Sequence, residues 1–123
     1  MKKTNELANQ LTSSQFTLAV KLPFQVGDKR EEKEVVIDYR FDEEIEEKIN
    51  AGTFDEVGEG EAKEQVPRPY TVAEQLAMIV KRIHGIDEAP GVAFFRKFDK
   101  RHQQMLVKAI LQDVFPNEQP SRG

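Results

Sequence analysis

The residues of this chain that could bind a metal are few and widely spaced. His84 and His102 are the only histidines, and the chain has no cysteine. A zinc site needs several nitrogen, sulfur or carboxylate ligands, and neither histidine has carboxylates beside it at metal-ligand spacing. We interpret His84 as a residue at the end of a helix and His102 as a surface residue. The sequence predicts neither a metal site nor a cofactor.

Catalysis by a nucleophile or by paired carboxylates is also poorly matched. Ser13, Ser14 and Ser121 are the only serines, and none lies in a nucleophile elbow. Neighbouring glutamates can act as an acid and a base when burial displaces their pKa values. The glutamates of residues 43–47 instead mark the solvent face of a short helix. We therefore expect a protein that is not an enzyme.

The segment around Gly58 and Gly60 matches two ligand-binding loops only in part. As a dinucleotide loop it has Lys63 where a third glycine belongs, and no strand is predicted before it. As a calcium loop beginning at Asp55 it has Val57 where a carboxylate belongs. A turn without a bound ligand is the simpler interpretation.

One cluster combines side chains that can bind phosphates and bases. It contains four basic and three interleaved aromatic residues: Arg96, Lys97, Lys100, Arg101, Phe94, Phe95 and Phe98. Such a group can hold a nucleic-acid backbone while its rings stack on bases. The alternative, which we favour, is a core aromatic cluster beneath a charged surface. The acidic half of the chain also disfavours nucleic acid, because it would repel the phosphates.

Charge is divided unevenly along the chain. Residues 28–65 contain 15 acidic residues against 6 lysines and arginines, whereas residues 66–115 contain 5 against 8. The net charge of −4 therefore conceals a dipolar molecule. This asymmetry indicates charged partners or self-association through complementary faces, and it says little about the fold.

Composition limits the class of protein. A chain of 123 residues fits one domain, and 33% of its residues are charged. The longest apolar run, Leu76 to Val80, is too short to cross a bilayer, and the polar stretch after Met1 predicts no signal peptide. Because there is no cysteine, a reducing compartment is allowed, and we expect a cytoplasmic protein without a membrane partner.

The first half of the chain has the pattern of a β-hairpin. Residues 1–15 are polar and are interpreted as a flexible arm. Apolar residues then alternate with polar ones from Phe16 to Leu22 and again from Val35 to Phe41, on either side of turn residues. Pro23 removes a main-chain donor, so the first strand either ends there or lies at a sheet edge.

The second half has the pattern of helices. Asp42 predicts a short helix through Asn50, and residues 55–69 are interpreted as a mobile acidic loop. A capping box at Thr71 predicts a helix as far as Ile83, ended by Gly85. The last helix either runs unbroken from residue 92 to 115 or begins at 99, and residues 116–123 form a flexible tail.

These elements predict an α+β fold. A hairpin or small antiparallel sheet packs against a C-terminal helical half, within a single domain of residues 16–115. Leu76 and Ile110 are expected in the core, and an uncovered strand edge is expected to bind a partner. The residues predicted to bind a protein partner are the strand edge and the basic aromatic cluster: Leu22, Pro23, Val26, Phe94, Phe95, Phe98, Arg96, Lys97, Lys100 and Arg101.

The C-terminal half resembles a known family, the tail assembly chaperones of long-tailed bacteriophages. The residues that carry the resemblance are a segment ending one helix, and the start and body of the last helix: Ile83-His84-Gly85-Ile86, Phe98-Asp99, and Met105 to Phe115. The overall layout, a β portion with an acidic stretch followed by a helical half, is similar as well. Gly85, Asp99 and the apolar face of the last helix match as fold markers.

The resemblance implies a non-enzymatic assembly factor. Proteins of that family oligomerise around the long, largely helical tape measure protein and protect it until tail tube subunits replace them. The implied partners are a tape measure protein and further copies of this chain, in the cytoplasm of a host cell. The alternative is a small regulatory or adaptor protein, followed by a nucleic-acid-binding protein that uses residues 94–101.

Overall fold

The computed structural model describes residues 2–116, so the tail predicted at residues 116–123 lies outside the described part except for Pro116. The helices are α1 (Lys2–Ser13), α2 (Glu43–Ala51), α3 (Val72–Ile79), α4 (Val92–Arg96) and α5 (Lys100–Val114). The strands are β1 (Phe16–Val26), β2 (Lys29–Tyr39), β3 (Thr53–Val57), β4 (Glu64–Arg68) and β5 (Val80–Ile83). With 43% helix and 33% strand, the fold is α+β.

The main sheet is antiparallel, with the order β1-β2-β5. Gly27 and Asp28 join β1 to β2, and Gly27 has a φ of 61° while Asp28 does not have a positive φ. A positive φ at the first central residue is typical of a type II′ turn, whose twist suits a hairpin. The predicted hairpin is therefore confirmed, and it is longer than predicted because the strands continue to the turn.

The core lies between one face of this sheet and the helices α3, α4 and α5. Alternation along β1 places Val20 and Leu22 on this face, and Ile37 and Tyr39 lie on the same face of β2. The helices and β5 complete the core with Ala73, Leu76, Ile79, Val80, Ile83, Phe95, Leu106 and Ile110. The predicted core positions of Leu76 and Ile110 are confirmed.

The helix predicted from Thr71 to Ile83 is wrong in its last turn. The capping box at Thr71 is present, but α3 ends at Ile79, and the next four residues form β5. Val80 and Ile83 are β-branched and buried, and they pair with Tyr39 and Ile37. Tertiary pairing overrides the helical spacing because it gives the open side of β2 a partner.

The last helical region is broken, so the unbroken-helix alternative is wrong. The carboxylate of Asp99 accepts a hydrogen bond from the main-chain N–H of Arg101 at 2.8 Å and caps α5. The buried side chain of Gln103 donates to the carbonyl of Phe95 at 2.7 Å, at the end of α4. Lys100 therefore lies in the first turn of α5, where the helix dipole disfavours a cation.

The polar N-terminal segment forms α1 rather than an arm without regular structure. The hydroxyl of Thr12 donates to the carbonyl of Ala8 at 2.9 Å, and Arg40 donates to the carbonyl of Thr12 at 2.9 Å. This second bond attaches the end of α1 to the body of the chain. Leu7 and Leu11 lie exposed on α1, so the helix buries little apolar surface.

The predicted acidic loop contains a second hairpin. β3 and β4 pair antiparallel around a short 3-10 helix, Gly60–Ala62. Arg68 attaches this hairpin to α3, because its guanidinium contacts Asp55 at 2.8 Å and both carboxylate oxygens of Glu74 at 2.9 and 3.0 Å. Composition alone predicts a loop because these charged groups pair only after folding.

The stability of the fold in acid is expected to depend on the ion pair between Arg68 and Glu74. The Arg68 hydrogen bonds, with that of the Thr71 N–H, lower the pKa of Glu74 to about 2. A carboxylate whose pKa is lower in the folded chain adds stability that is complete above about pH 4.5 and is lost as the pH falls through about 2.

The variant Glu74→Gln tests this dependence. At neutral pH it should lower the free energy of unfolding by about 1–2 kcal/mol, a modest value because the pair is partly exposed to solvent. Urea unfolding from pH 7 to 2 should show wild type and variant converging as the pH falls. A difference that stays constant over this range would contradict the assignment.

Candidate protein-binding surfaces

The hydrogen bonds of β2 establish which main-chain groups of the sheet remain free. The carbonyl of Val36 accepts from the N–H of His84 at 2.9 Å, and the N–H of Arg40 donates to the carbonyl of Ile79 at 2.9 Å. Even-numbered residues of β2 therefore direct their main-chain groups toward the β5 side. Because these directions alternate along a strand, odd-numbered residues of β2 bond to β1.

The outer edge of β1 follows from this alternation. In the β1–β2 register, even-numbered residues of β1 lie opposite odd-numbered residues of β2 and bond to them. The main-chain groups of Thr17, Ala19 and Lys21 point away from the sheet, and within residues 2–116 no other strand pairs with them. This free edge, defined by Thr17, Ala19 and Lys21, can accept an added strand.

β1 continues past Pro23 to Val26 and lies at the edge of the sheet, so the edge interpretation of this proline is confirmed. Pro23 also faces outward, so its missing N–H costs the sheet no hydrogen bond. Its carbonyl oxygen lies 2.6 Å from Nε2 of His102, and the ring of His102 packs against Phe24 with centroids 4.6 Å apart. His102 is thus half-buried and bonded at the strand edge rather than a simple surface residue.

The predicted binding residues of this strand do not lie together on its surface. Leu22 is 1% exposed and belongs to the core, so its side chain is not accessible to a partner. Pro23 is half-buried, and Val26 is exposed at the far end of the hairpin. The alternation that buries Leu22 leaves Thr17, Ala19 and Lys21 accessible, and these three residues are not among the predicted binding residues.

The three phenylalanines form a core cluster, as in the favoured interpretation. Their ring centroids are 5.1–5.7 Å apart in edge-to-face geometry. Phe95 is 0% exposed, and Phe94 and Phe98 are half-buried against the core. Phe95 lies within the core cluster, so its side chain is not accessible to a partner.

The basic residues of this cluster remain on the surface. Arg96, Lys97, Lys100 and Arg101 are all exposed. Arg101 lies 3.8 Å from the carboxylate of Asp99, which itself caps α5. Because the neighbouring rings pack inward, this surface offers cations without exposed aromatic faces for base stacking. It therefore lacks one of the two features that indicated nucleic acid.

The largest apolar groove among those described along α5 lies between α3 and α5. It has a volume of about 610 Å³. We call it the α3–α5 groove and define it by Val72, Val107, Leu111 and Phe115, with a polar rim of Gln104, Lys108 and Gln112. Leu111 is 40% exposed. Val107, Leu111 and Phe115 are spaced i, i+4, i+8 and lie beside the core row of α5. Their spacing in the sequence does not distinguish them from the core row.

A second groove lies where the end of α1 meets the sheet and the end of α5. It has a volume of about 520 Å³, and its lining includes Leu11, Phe16 and Tyr39. The hydroxyl of Tyr39 donates to the carboxylate of Asp113 at 2.5 Å. Two effects raise the pKa of Tyr39 well above its usual value: burial is the larger one, and the hydrogen bond to the carboxylate of Asp113 is the second. The phenol therefore stays protonated.

A polar cluster lies on the open face of the sheet. The carboxylate of Asp38 accepts a hydrogen bond from the hydroxyl of Thr17 at 2.7 Å and lies 3.0 Å from Nε2 of His84. These two bonds lower the pKa of Asp38. The hydroxyl and the imidazole both contact the carboxylate and not each other, so the arrangement is not a nucleophile paired with its base.

The helix-end interpretation of His84 is wrong, since His84 follows β5.

Over residues 2–116 the histidine, aspartate and glutamate side chains form no group of three or more that could hold a metal ion. In the same range, every helix is too short or too polar to span a bilayer.

The geometry presents two surfaces suited to protein binding, the free edge of β1 and the α3–α5 groove.

Comparison with known proteins leaves the family open. No protein-family model, curated protein or solved structure matches the chain. The resemblance of the segment from Ile83 to Phe115 to tail assembly chaperones therefore stays a prediction.

Proposed function

We propose that this chain is a non-enzymatic assembly factor that binds a helical segment of another protein in the α3–α5 groove. The observation that carries the proposal is an apolar row formed by Val107 and Leu111 of α5 and the C-cap residue Phe115, beside Val72 of α3. Leu111 is exposed, and the other three residues are half-buried. An amphipathic helix can place an apolar face in such a groove, with residues at similar spacing on the partner. The polar rim then remains in contact with water.

The finer proposal is a phage tail assembly chaperone whose client is a tape measure protein. It rests on the resemblance in the last helical region and on the shape of the groove, which suits a long helical client. The acidic first half of the chain would help keep such a client complex dispersed, because like charges repel one another. Self-association belongs to the same proposal.

Replacing Leu111 with aspartate should weaken client binding strongly while the chain stays folded. The side chain is 40% exposed, so urea unfolding of the variant must accompany the binding measurement to show that the chain is folded. A charge in the groove should cost about 2 kcal/mol or more of binding free energy, roughly a thirtyfold loss of affinity. The measurement is co-purification and titration with the tape measure protein encoded in the same genome.

The matched control is Leu7→Asp, because Leu7 is an exposed leucine on α1, outside the groove. It should bind the client like wild type. Equal binding by wild type and Leu111→Asp would contradict a role for the groove. A genome that encodes no tape measure protein would contradict the phage proposal and leave the groove to be tested with another helical client.

A further inference from the structure

We propose that the free edge of β1 pairs antiparallel with the same edge of a second copy, so that two three-stranded sheets become one sheet of six strands. This dimer is a specific form of the self-association that belongs to the proposed function. It rests on that function only for the expectation that the chain self-associates. The edge is long enough to pair with another strand, since Thr17, Ala19 and Lys21 all direct their main-chain N–H and carbonyl groups outward.

The limits of the free edge define the register. β1 begins at Phe16, and the outward positions are interrupted at Pro23, which has no N–H and whose carbonyl contacts His102. The stretch between these limits is centred on Ala19. A two-fold axis beside Ala19 therefore pairs the whole stretch with itself, and neither strand has to extend across Pro23.

This register also agrees with the hydrogen-bond pattern of an antiparallel pair. Ala19 lies opposite the partner's Ala19, and Thr17 lies opposite the partner's Lys21. Each of these positions directs both its N–H and its carbonyl outward, so about six main-chain hydrogen bonds form across the axis. Ala19 is small, and no like charges lie directly opposite each other.

Side chains on both faces of the sheet favour a second copy over an unrelated strand. On the open face, Lys21 lies beside the partner's Thr17, whose hydroxyl is bonded to a carboxylate, that of Asp38. On the core face, Phe16 is 59% exposed and Leu18 is half-buried. Pairing places these two apolar residues against the same face of the partner strand and removes them from water.

Opposite charges at Ala19 provide the test. The variants Ala19→Glu and Ala19→Lys each place two like charges across the axis, and each should weaken dimerisation at least about tenfold. An equal mixture of the two should restore a dimer, because the charges then attract. The measurement is sedimentation equilibrium over a micromolar concentration series, with different tags on the two variants to identify the mixed dimer.

A second variant and a control make the result specific. Ala19→Pro removes the outward N–H, as Pro23 does naturally. This variant should also be monomeric by sedimentation equilibrium, and circular dichroism should show that it is folded. Gln25→Glu adds a charge at an exposed position of the same strand beyond Pro23, and it should dimerise like wild type. A monomeric wild type, or an Ala19→Glu chain that dimerises normally, would overturn the proposal.

The outcome is independent of client binding. The first possible result is that wild type dimerises through Ala19, but neither wild type nor Leu111→Asp binds a helical client. This result would refute the proposed function of the groove and leave the paired edge intact. A wild-type monomer that binds its client would refute the paired edge alone. The Leu111→Asp variant should remain dimeric, since Leu111 lies on α5 in the α3–α5 groove.

Discussion

Replacing Phe95 with alanine is expected to lower the free energy of unfolding by about 3–5 kcal/mol, the largest effect of any single substitution considered for this chain. The ring is completely buried and contacts both neighbouring phenylalanines. Its removal loses the apolar transfer free energy and leaves a cavity between α4 and the core. Urea unfolding followed by circular dichroism would measure the change.

The control for Phe95 is Phe54→Ala, because Phe54 is an exposed phenylalanine on β3. That variant should change the free energy of unfolding by no more than about 0.5 kcal/mol. If Phe95→Ala lowers the free energy of unfolding by less than about 1 kcal/mol, the ring is not part of the core. That result would favour the alternative, in which the aromatic cluster binds a partner. The two variants thus separate a structural role of the cluster from an intermolecular one.

Alanine at Leu76 or Ile110 is expected to cost about 2–5 kcal/mol of unfolding free energy. Both side chains are fully buried, Leu76 in α3 and Ile110 in α5. These helices pack on the same face of the sheet, so each truncation should also weaken the attachment of its helix. The measurement is the urea midpoint and slope of each variant.

The matched control is Leu11→Ala, since Leu11 is 75% exposed on α1. Its stability should equal that of wild type within error. A change below about 1 kcal/mol at both Leu76 and Ile110 would show that the core lies elsewhere. The double variant should be close to additive only if the two side chains do not share a cavity.

The two proposed binding surfaces belong to different elements of the fold. The free edge of β1 uses main-chain groups, whereas the α3–α5 groove uses apolar side chains of two helices. A dimer formed through the edge would therefore leave both grooves available, one on each copy. If both proposals hold, one self-complementary contact would give the dimer two grooves for client segments.

Local signals in the sequence predicted the elements that depend on neighbouring residues. Alternation from Phe16 onward predicted β1, and the capping box at Thr71 predicted the start of α3. Asp42 was correctly predicted to cap α2, where its side chain accepts from the N–H of Ile45. Each of these features is encoded within a few residues, so periodicity and capping chemistry were sufficient.

Non-local contacts decided the elements that the sequence left open. Val80 and Ile83 fit a helical spacing, and only the unpaired side of β2 made them a strand. The β3–β4 hairpin likewise depends on Arg68, which joins Asp55 to Glu74 across the chain. Composition describes such a segment as polar and charged, and it cannot show which charges meet.

By itself, the sequence determined the α+β class, the first hairpin and the core role of Leu76 and Ile110, and it left two positions for Pro23, at the end of a strand or at a sheet edge. Only the tertiary structure decided which side of β1 is free, that Leu22 points into the core, and that a second apolar row of α5 forms a groove. The physical reason is that periodicity places residues on faces, whereas packing decides which faces and edges are covered.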